Sequence, residues 1–339
     1  MTQTSKPPQN ISKKSQISAQ IAPEDLGQLF LIGWESQNTS EILGLLREFR
    51  PAGFIFFKRN YPGSFLALRE QIRTVNLEAK KLFPRKLLWA IDHEGGTVNR
   101  LPFPETLLPS AQDLGALACQ SGVEILKKEC FRVGTLLREL GFNLNLAPVL
   151  DVQSDPQAYI GTRSFSTDPS IVAKVARAFY EGFSLAKLLT CGKHFPGLGR
   201  ARKDPHRELP VITQSVDDFW DFDGLPFREL IASGLPAIMT THVLLSSLDD
   251  SLPVTYSSKA LSLLKHDYGF QGLVITDDLE MGALNNIYSP GKSALEAFQA
   301  GHDLLLFGKT KSFIKEAHEA LRKASSDFVL DPTRVAVGQ

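Results

Sequence analysis

The feature that most constrains the fold is a regular alternation of short apolar runs with longer amphipathic stretches. Helical patterns occur between the runs, for example at residues 123–140, 171–187, 257–268 and 294–300, and Gly141 and Gly301 follow two of them at the usual stop position. Eight strand–helix repeats predict an α/β fold, a single-domain (β/α)8 barrel of the TIM type. The eight runs, each typical of a buried parallel strand, are residues 29–34, 53–57, 87–92, 143–149, 189–194, 237–242, 273–277 and 303–308.

The rival architecture is a doubly wound open sheet, which predicts a glycine-rich phosphate turn after an early strand. Gly95-Gly96 does not fit the pattern G-x-G-x-x-G, and the sequence contains no P-loop pattern. The chain has 339 residues, which is enough for a barrel that typically takes about 250. The sequence therefore favours the closed barrel.

Composition limits the domain organisation and the partners. Residues 1–20 are polar and rich in Pro, Ser and Gln, which predicts a disordered tail, and residues 21–339 are expected to form one catalytic domain. The tail lacks the apolar segment of a secretory signal peptide, and no apolar run approaches the roughly 18 residues of a membrane span. Lys plus Arg and Asp plus Glu both number 37, so net charge gives no reason to expect nucleic acid or an anionic membrane as a partner.

The three cysteines, Cys119, Cys130 and Cys191, are odd in number and form no C-x-x-C pair. They predict neither a disulfide framework nor a zinc site, and reduced thiols fit a cytoplasmic location. Cys191 lies in an apolar run and is expected to be buried. No H-x-H or H-E-x-x-H spacing occurs, so no metal is predicted, although the several His and Asp residues leave a metal site as an alternative.

Polar side chains gather where the predicted strands end, which is where barrel enzymes place their active sites. Burying a charged side chain at the end of an apolar strand costs free energy, so such a residue is expected to be paired with an opposite charge or to serve binding or catalysis. Carboxylates, imidazoles and cations around one pocket suit a ligand rich in hydroxyls, and so favour a sugar hydrolase. The six clusters contain Asp92, His93 and Glu94, then Asp151 and Arg163, then Lys193 and His194, then Asp204 and His206, then His242, then Asp277 and Asp278.

Each cluster also has a structural interpretation when it is taken singly. His194 and His242 could be core histidines with satisfied hydrogen bonds, and Asp92 could cap the next helix. Arg163 could be an ion-pair partner for Asp151. The residues alone leave these alternatives open.

Four longer motifs carry a specific resemblance. They read IDHEGGTVNR at 91–100, GTRSFS at 161–166, KHFPG at 193–197 and GLVITDDLEM at 272–281. In this order and spacing they resemble glycoside hydrolase family 3, and in particular its single-domain bacterial β-N-acetylhexosaminidases of the cell-wall recycling type. The resemblance runs from about residue 24 to about residue 325.

The resemblance implies an exo-acting, retaining hydrolase of terminal β-linked N-acetylglucosamine that needs neither metal nor cofactor. Asp277 would be the nucleophile that forms a covalent glycosyl ester, and Asp278 would support its loop. Lys193 would help keep Asp277 ionised. The sugar hydroxyls would be bound by Asp92, Arg163, Lys193 and His194.

The acid/base is the more diagnostic part of the resemblance. Two-domain β-glucosidases of the family take a carboxylate from a second domain, and this chain ends shortly after its eighth predicted strand. The single-domain hexosaminidases use a histidine paired with an aspartate in a mobile loop, which corresponds to Asp204-Pro205-His206. Without the resemblance this tripeptide reads as an ordinary polar turn; with it, Asp204 and His206 are expected to form the catalytic pair.

Four positions depart from the family pattern. The family often has Gln at His93, His at Leu198, Asp at Arg200 and Ser at Pro205. Two further basic residues, Arg202 and Lys203, change the charge of this loop and could attract phosphate. The alternatives to the hexosaminidase are a β-N-acetylglucosaminide phosphorylase, a β-glucosidase, or a non-catalytic sugar-binding barrel. The expected partner is an amino-sugar glycoside of the muropeptide kind, bound by a monomer.

Overall fold

The fold is seen in a computed structural model that describes residues 26–285 and 287–326. The predicted tail at 1–20 lies outside these residues. All eight predicted strands are present within or close to their expected bounds. They are β1 (Phe30–Ile32), β2 (Gly53–Phe56), β3 (Leu88–Ile91), β4 (Leu144–Asn145), β5 (Leu189–Phe195), β6 (Ala237–Thr240), β7 (Leu273–Ile275) and β8 (Leu305–Phe307).

The eight strands pair in parallel and in chain order, with β8 also paired to β1. The remaining gap, between β7 and β8, is closed by a parallel bridge between Ile275 and Leu304 and by a hydrogen bond of 3.1 Å from the Leu304 amide to the Val274 carbonyl. The predicted (β/α)8 barrel is thus confirmed, and the open sheet is wrong.

The helices surround the barrel. Their bounds are α1 (Thr39–Phe49), α2 (Phe65–Leu82), α3 (Ala111–Ser121), α4 (Val123–Leu140), α5 (Pro169–Leu185), α6 (Val216–Asp221), α7 (Leu225–Ala232), α8 (Ser258–Ser262), α9 (Pro290–Ala300) and α10 (Lys311–Ser326). Short 3₁₀ turns occupy Leu26–Leu29, Lys58–Asn60, Pro104–Thr106, Gly161–Arg163, Val254–Tyr256 and Gly282–Leu284.

The predicted helices are present in the structure, but their ends differ from the predicted ones. Helix α4 ends where Gly141 adopts a left-handed conformation, with φ of 111°, as its glycine predicts. Helix α5 begins two residues earlier than expected because the Asp168 side chain accepts the amide hydrogen of Ser170. The predicted helix at 257–268 is α8 followed by a π-helical turn, Leu263–Asp267.

The core has two layers. The outer layer packs the helices against the strands, and the inner layer fills the barrel with apolar side chains. Cys191 is fully buried in the inner layer, as expected. Above this apolar plug, at the carboxyl ends of the strands, the interior becomes polar. In the part of the chain that the structure describes, no helix is both long and apolar enough to cross a membrane.

Candidate active site

The predicted site residues meet in a cavity of about 390 Å³ at the carboxyl ends of the strands. This position follows from the fold, because parallel strands in a barrel all end at one mouth. Asp204 lies beside the cavity and is hydrogen-bonded to His206, which lines it. The other six predicted residues line the cavity, namely Asp92, Arg163, Lys193, His194, His206 and Asp277.

A buried network of charges forms one wall of the cavity. The Lys193 ammonium lies 2.7 Å from Oδ1 of Asp92 and 2.6 Å from Oε1 of Glu94. Glu94 also binds Arg163 through two parallel hydrogen bonds of 2.8 Å each. On the far side, Arg100 donates to Oδ2 of Asp92 at 3.1 Å. Each buried charge therefore faces an opposite charge, which is the condition for keeping it in a dry site.

The network fixes the ionisation of its members. Burial works against ionisation of Asp92, but the charges of Lys193 and Arg100 outweigh it and lower the pKa of Asp92 to about 2. Arg163 and Lys193 likewise outweigh burial and hold the pKa of Glu94 well below its usual range. The wall thus offers carboxylates as acceptors and cations as donors at fixed positions, which suits the hydroxyls of a sugar.

His194 is oriented by Asp151. Its Nδ1 atom lies 2.7 Å from Oδ2 of Asp151, which leaves Nε2 toward the cavity, 3.3 Å from the Arg163 guanidinium. Oδ1 of Asp151 accepts the amide hydrogen of Leu198 at 2.7 Å. The carboxylate of Asp151 therefore fixes the His194 ring and anchors the start of the following loop.

The structure decides against the structural interpretations of Arg163 and Asp92. The alternative in which Arg163 pairs with Asp151 is wrong, because Arg163 pairs with Glu94 while Asp151 holds His194. The Asp92 carboxylate binds Lys193 and Arg100 and so is no helix cap.

The core interpretation holds for His242. This residue is fully buried, and its ring nitrogens lie 2.6 Å from Oγ1 of Thr255 and 2.9 Å from the Asp278 carbonyl. Burial lowers the pKa of His242, so its ring is neutral and serves to fix the backbone at Asp278.

Asp277 and Asp278 follow β7 and have different surroundings. Asp277 lines the cavity, and its Oδ1 accepts the amide hydrogen of Asp278 at 2.8 Å. Oδ1 of Asp278 accepts the amide hydrogens of Gly308 and Glu280, at 2.9 and 3.0 Å. Burial and the nearby Glu280 raise the pKa of Asp278 to about 7. Asp278 therefore ties the loop after β7 to the loop after β8, and Asp277 is the carboxylate left for a substrate.

The loop that carries Asp204 and His206 lies over the cavity. Oδ1 of Asp204 accepts from the His206 amide at 2.9 Å and lies 2.8 Å from Nδ1 of the ring. The carbonyls of Pro205 and His206 accept the amide hydrogens of Ala283 and Gly282, each at 3.0 Å. Because Nδ1 faces Asp204, Nε2 is the ring nitrogen that can approach a bound ligand.

The unusual residues of this loop each find a partner. Arg200 binds Asp223 at 2.6 Å, Arg202 binds Asp155 at 2.5 Å, and Lys203 binds Glu208 at 2.6 Å. Leu198, in place of the family histidine, is buried. The three cations are therefore paired with carboxylates within the protein.

Three residues contribute to the site although the sequence analysis assigned them no role in it. Glu94 was visible as a charge in the motif at 91–100, and its role between Lys193 and Arg163 could have been suspected from that position. Arg100 belongs to the same motif and lines the cavity. Tyr159 also lines the cavity, but no motif or spacing marks it in the sequence.

Among residues 26–285 and 287–326, no group of three or more His, Cys, Asp or Glu side chains is placed to hold a metal ion. The cations and histidines of the cavity instead bind carboxylates. The cavity thus combines the carboxylate of Asp277, a histidine with an aspartate partner, and a hydrogen-bonding wall.

Comparison with known proteins identifies the family. A family model described as the glycosyl hydrolase family 3 N-terminal domain matches residues 22–335. The chain belongs to glycoside hydrolase family 3. The β-hexosaminidase of Neisseria gonorrhoeae (strain NCCP11945) is 34% identical to this chain over 272 residues. The match covers 79% of this chain and 74% of that protein.

Solved structures of this family have the same fold. A family 3 β-N-acetylglucosaminidase from Paenibacillus sp. str. FPU-7 superposes with a TM-score of 0.89 and 32% identity over 94% of this chain, which spans 61% of that longer protein. The structure of NagZ from Neisseria gonorrhoeae in complex with N-trifluoroacetyl-D-glucosamine gives a TM-score of 0.76 and 29% identity, covering 91% of this chain and 92% of that one.

Proposed function

We propose that this family 3 enzyme is an exo-acting, retaining β-N-acetylhexosaminidase that removes terminal β-linked N-acetylglucosamine. The observation that carries the proposal is the pairing of His206 with Asp204 above a cavity that also contains Asp277. A carboxylate and a histidine acid/base on one cavity provide both groups that a double displacement needs. The names of the related β-hexosaminidase and β-N-acetylglucosaminidase support the choice of sugar.

In the first step, the Asp277 carboxylate attacks the anomeric carbon and forms an ester bond. The glycosidic bond breaks as Nε2 of His206 gives its proton to the leaving oxygen, and Asp204 stabilises the ring while it carries the positive charge. In the second step, His206 takes a proton from water, the water oxygen bonds to the anomeric carbon, and the ester bond to Asp277 breaks. Two inversions give net retention.

The wall of the cavity positions the sugar. Asp92, Lys193 and His194 present an acceptor and donors within one small space, and each is buried. Because each is already held by a hydrogen-bonded partner, little reorganisation accompanies binding. A cavity of about 390 Å³ suits one terminal sugar unit rather than the interior of a polysaccharide, which supports exo action.

The rival functions receive less support. A phosphorylase needs cations free to attract phosphate, whereas Arg200, Arg202 and Lys203 are bound to carboxylates. A β-glucosidase of this family would use a carboxylic acid rather than the pair of Asp204 and His206. A silent sugar-binding barrel would have no reason to orient His206 through Asp204.

We also propose that peptidoglycan fragments supply the substrate, an expectation that rests on the resemblance to cell-wall recycling enzymes. Cys119, Cys130 and Cys191 are unpaired, which supports a cytoplasmic location. A monomer remains our expectation for the assembly, and size-exclusion chromatography with light scattering measures it.

The experiment that tests the function compares p-nitrophenyl β-N-acetylglucosaminide with the matching β-glucoside. Preferred cleavage of the N-acetylglucosaminide is expected, and preferred cleavage of the glucoside contradicts the proposal. The same assay is run with and without inorganic phosphate. An increase in rate with phosphate, together with sugar 1-phosphate as product, would identify a phosphorylase instead.

A further inference from the structure

Tyr159 contacts the proposed acid/base, although nothing in the sequence marks it. Its hydroxyl lies 3.1 Å from Nδ1 of His206, the same nitrogen that lies 2.8 Å from Oδ1 of Asp204. The two rings also pack, with centroids 6.0 Å apart and planes inclined by 55°. The ring of His206 is therefore held by three contacts, of which Tyr159 supplies two and the Asp204 carboxylate one.

The segment that contains Tyr159 is docked on the loop that contains His206. The Tyr159 amide donates to the Ala201 carbonyl at 2.7 Å, and the Ser154 amide donates to the Gly199 carbonyl at 3.3 Å. Asp155 and Arg202 add an ion pair between the same two segments. Tyr159 thus reaches His206 from a neighbouring segment that is bound to the loop by hydrogen bonds and an ion pair.

The protonation state of Tyr159 makes it a donor. Burial and the nearby Asp204 carboxylate raise the pKa of Tyr159 above its usual value. A neutral hydroxyl can donate to Asp204 while its oxygen faces the Nδ1–H of His206. The Arg163 guanidinium and Asp277 are the other charged groups that act on this hydroxyl.

We propose that Tyr159 is a positioning residue that completes a Tyr159–Asp204–His206 triad and holds Nε2 of His206 toward the glycosidic oxygen. The proposal rests on the proposed function of His206 as the general acid. An aspartate on a solvent-exposed loop fixes one edge of a histidine ring, and the exposed fraction of the His206 side chain is 57%. Tyr159 adds the second hydrogen bond and the ring contact that limit rotation of the imidazole.

The test uses Tyr159→Phe, which keeps the ring and removes the hydroxyl. Tyr180→Phe is the matched control, because the Tyr180 hydroxyl donates to the Gly234 carbonyl, on the outer face of the barrel. Loss of one neutral hydrogen bond is expected to slow turnover of poor leaving groups by about three- to tenfold. A dinitrophenyl N-acetylglucosaminide needs little proton donation, so its rate is expected to stay within about twofold of the wild type.

Two results would overturn the triad. One is a Tyr159→Phe rate equal to that of Tyr180→Phe on every substrate, and the other is a loss of the same size for good and poor leaving groups. The second result would mean that Tyr159 only supports the fold. If wild-type enzyme cleaved no N-acetylglucosaminide at all, the proposed function would fail, which is distinguishable from either result.

A measurement without substrate tests the contact directly. The Cε1–H signal of His206, assigned by its loss in His206→Gln, is recorded by NMR at one fixed pH. Because the Tyr159 hydroxyl lies 3.1 Å from Nδ1 of His206, removing the hydroxyl is expected to move this signal, whereas Tyr180→Phe leaves it in place. The triad requires this change as well as the kinetic effect, and an unmoved signal in Tyr159→Phe overturns it.

Discussion

The ammonium group of Lys193 lies 2.7 Å from Oδ1 of Asp92, although 101 residues separate the two along the chain. Asp92 follows β3 and Lys193 lies within β5, so the contact bridges two strands that are separated only by β4. The same ammonium binds Glu94 at 2.6 Å. The ion pairs of Lys193 thus go to two carboxylates of the cavity wall, whereas the resemblance implied that Lys193 would bind the sugar and help keep Asp277 ionised.

Replacement of Lys193 is expected to destabilise the fold strongly. Lys193→Met leaves Asp92 and Glu94 buried with less positive charge around them, and breaking a buried pair in this way typically costs about 3–5 kcal/mol. Urea unfolding at pH 7 measures the loss. Lys203→Met is the control, because the pair of Lys203 with Glu208 is exposed on both sides and should contribute little. Equal stability of the two variants would contradict the buried network.

Asp278 is expected to make stability depend on pH. Its pKa of about 7 lies above the ordinary value near 4, so the folded state binds the proton more tightly than the unfolded chain. Its contribution to stability is therefore complete below about pH 4 and is lost as the pH rises toward about 7. Asp278→Asn keeps an oxygen for the Gly308 and Glu280 amides and removes the titration.

The measurement for Asp278 is the difference in unfolding free energy between wild type and Asp278→Asn from pH 4 to pH 8. The wild type should lose stability relative to the variant as the pH rises, and groups common to both proteins cancel. A difference that does not change with pH contradicts the raised pKa of Asp278.

The pair of Arg200 and Asp223 is expected to anchor the loop in a pH-dependent way. Asp223 is buried, and burial raises its pKa to about 6 despite Arg200. Arg200→Met removes the opposing charge, so the variant should lose more stability at pH 8, where Asp223 must ionise, than at pH 5, where it can stay protonated. Thermal unfolding at the two pH values checks this.

Arg202→Met is the control. It breaks an exposed pair, so its loss of stability should be the same at both pH values. A loss in Arg200→Met that is equal at both pH values would argue against the anchor.

His206→Ala is expected to slow the cleavage of substrates with poor leaving groups more than that of substrates with good ones. General acid catalysis typically contributes about 10²–10⁴-fold, and a good leaving group departs without a proton. Aryl N-acetylglucosaminides of graded leaving-group acidity measure the effect through kcat/KM. His318→Ala is a suitable control because His318 lies in α10, beside Phe30 and Phe49, away from the cavity. If kcat/KM fell by the same factor for good and poor leaving groups in His206→Ala, a role for His206 as general acid would be excluded.

The sequence predicts the barrel and the contents of its mouth because both depend on local patterns. Apolar runs alternate with amphipathic stretches over short distances, and a parallel strand carries the residue at its end to the mouth without further information. Asp277, Lys193 and His194 could therefore be placed at the mouth from their positions alone. The roles assigned to them come from the family motifs.

The partners within the mouth could not be predicted in the same way. Whether Arg163 reaches Asp151 or Glu94 depends on distances across the barrel, and both carboxylates stand at strand ends in the sequence. The pairing of Arg200 with Asp223 and the approach of Tyr159 to His206 depend on how loops fold over one another. No periodicity encodes such contacts, so only the structure reveals them.

The central claim is that Asp277 forms a covalent bond to the sugar, and trapping that bond tests it most directly. The enzyme is incubated with an activated 5-fluoro N-acetylglucosaminyl fluoride, because the ring fluorine slows breakdown of the ester, and is then digested and analysed by mass spectrometry. One sugar adduct on Asp277, and none in Asp277→Asn, is the predicted result. An adduct on Asp278 or another carboxylate, or turnover of the reagent without any adduct, would contradict the account.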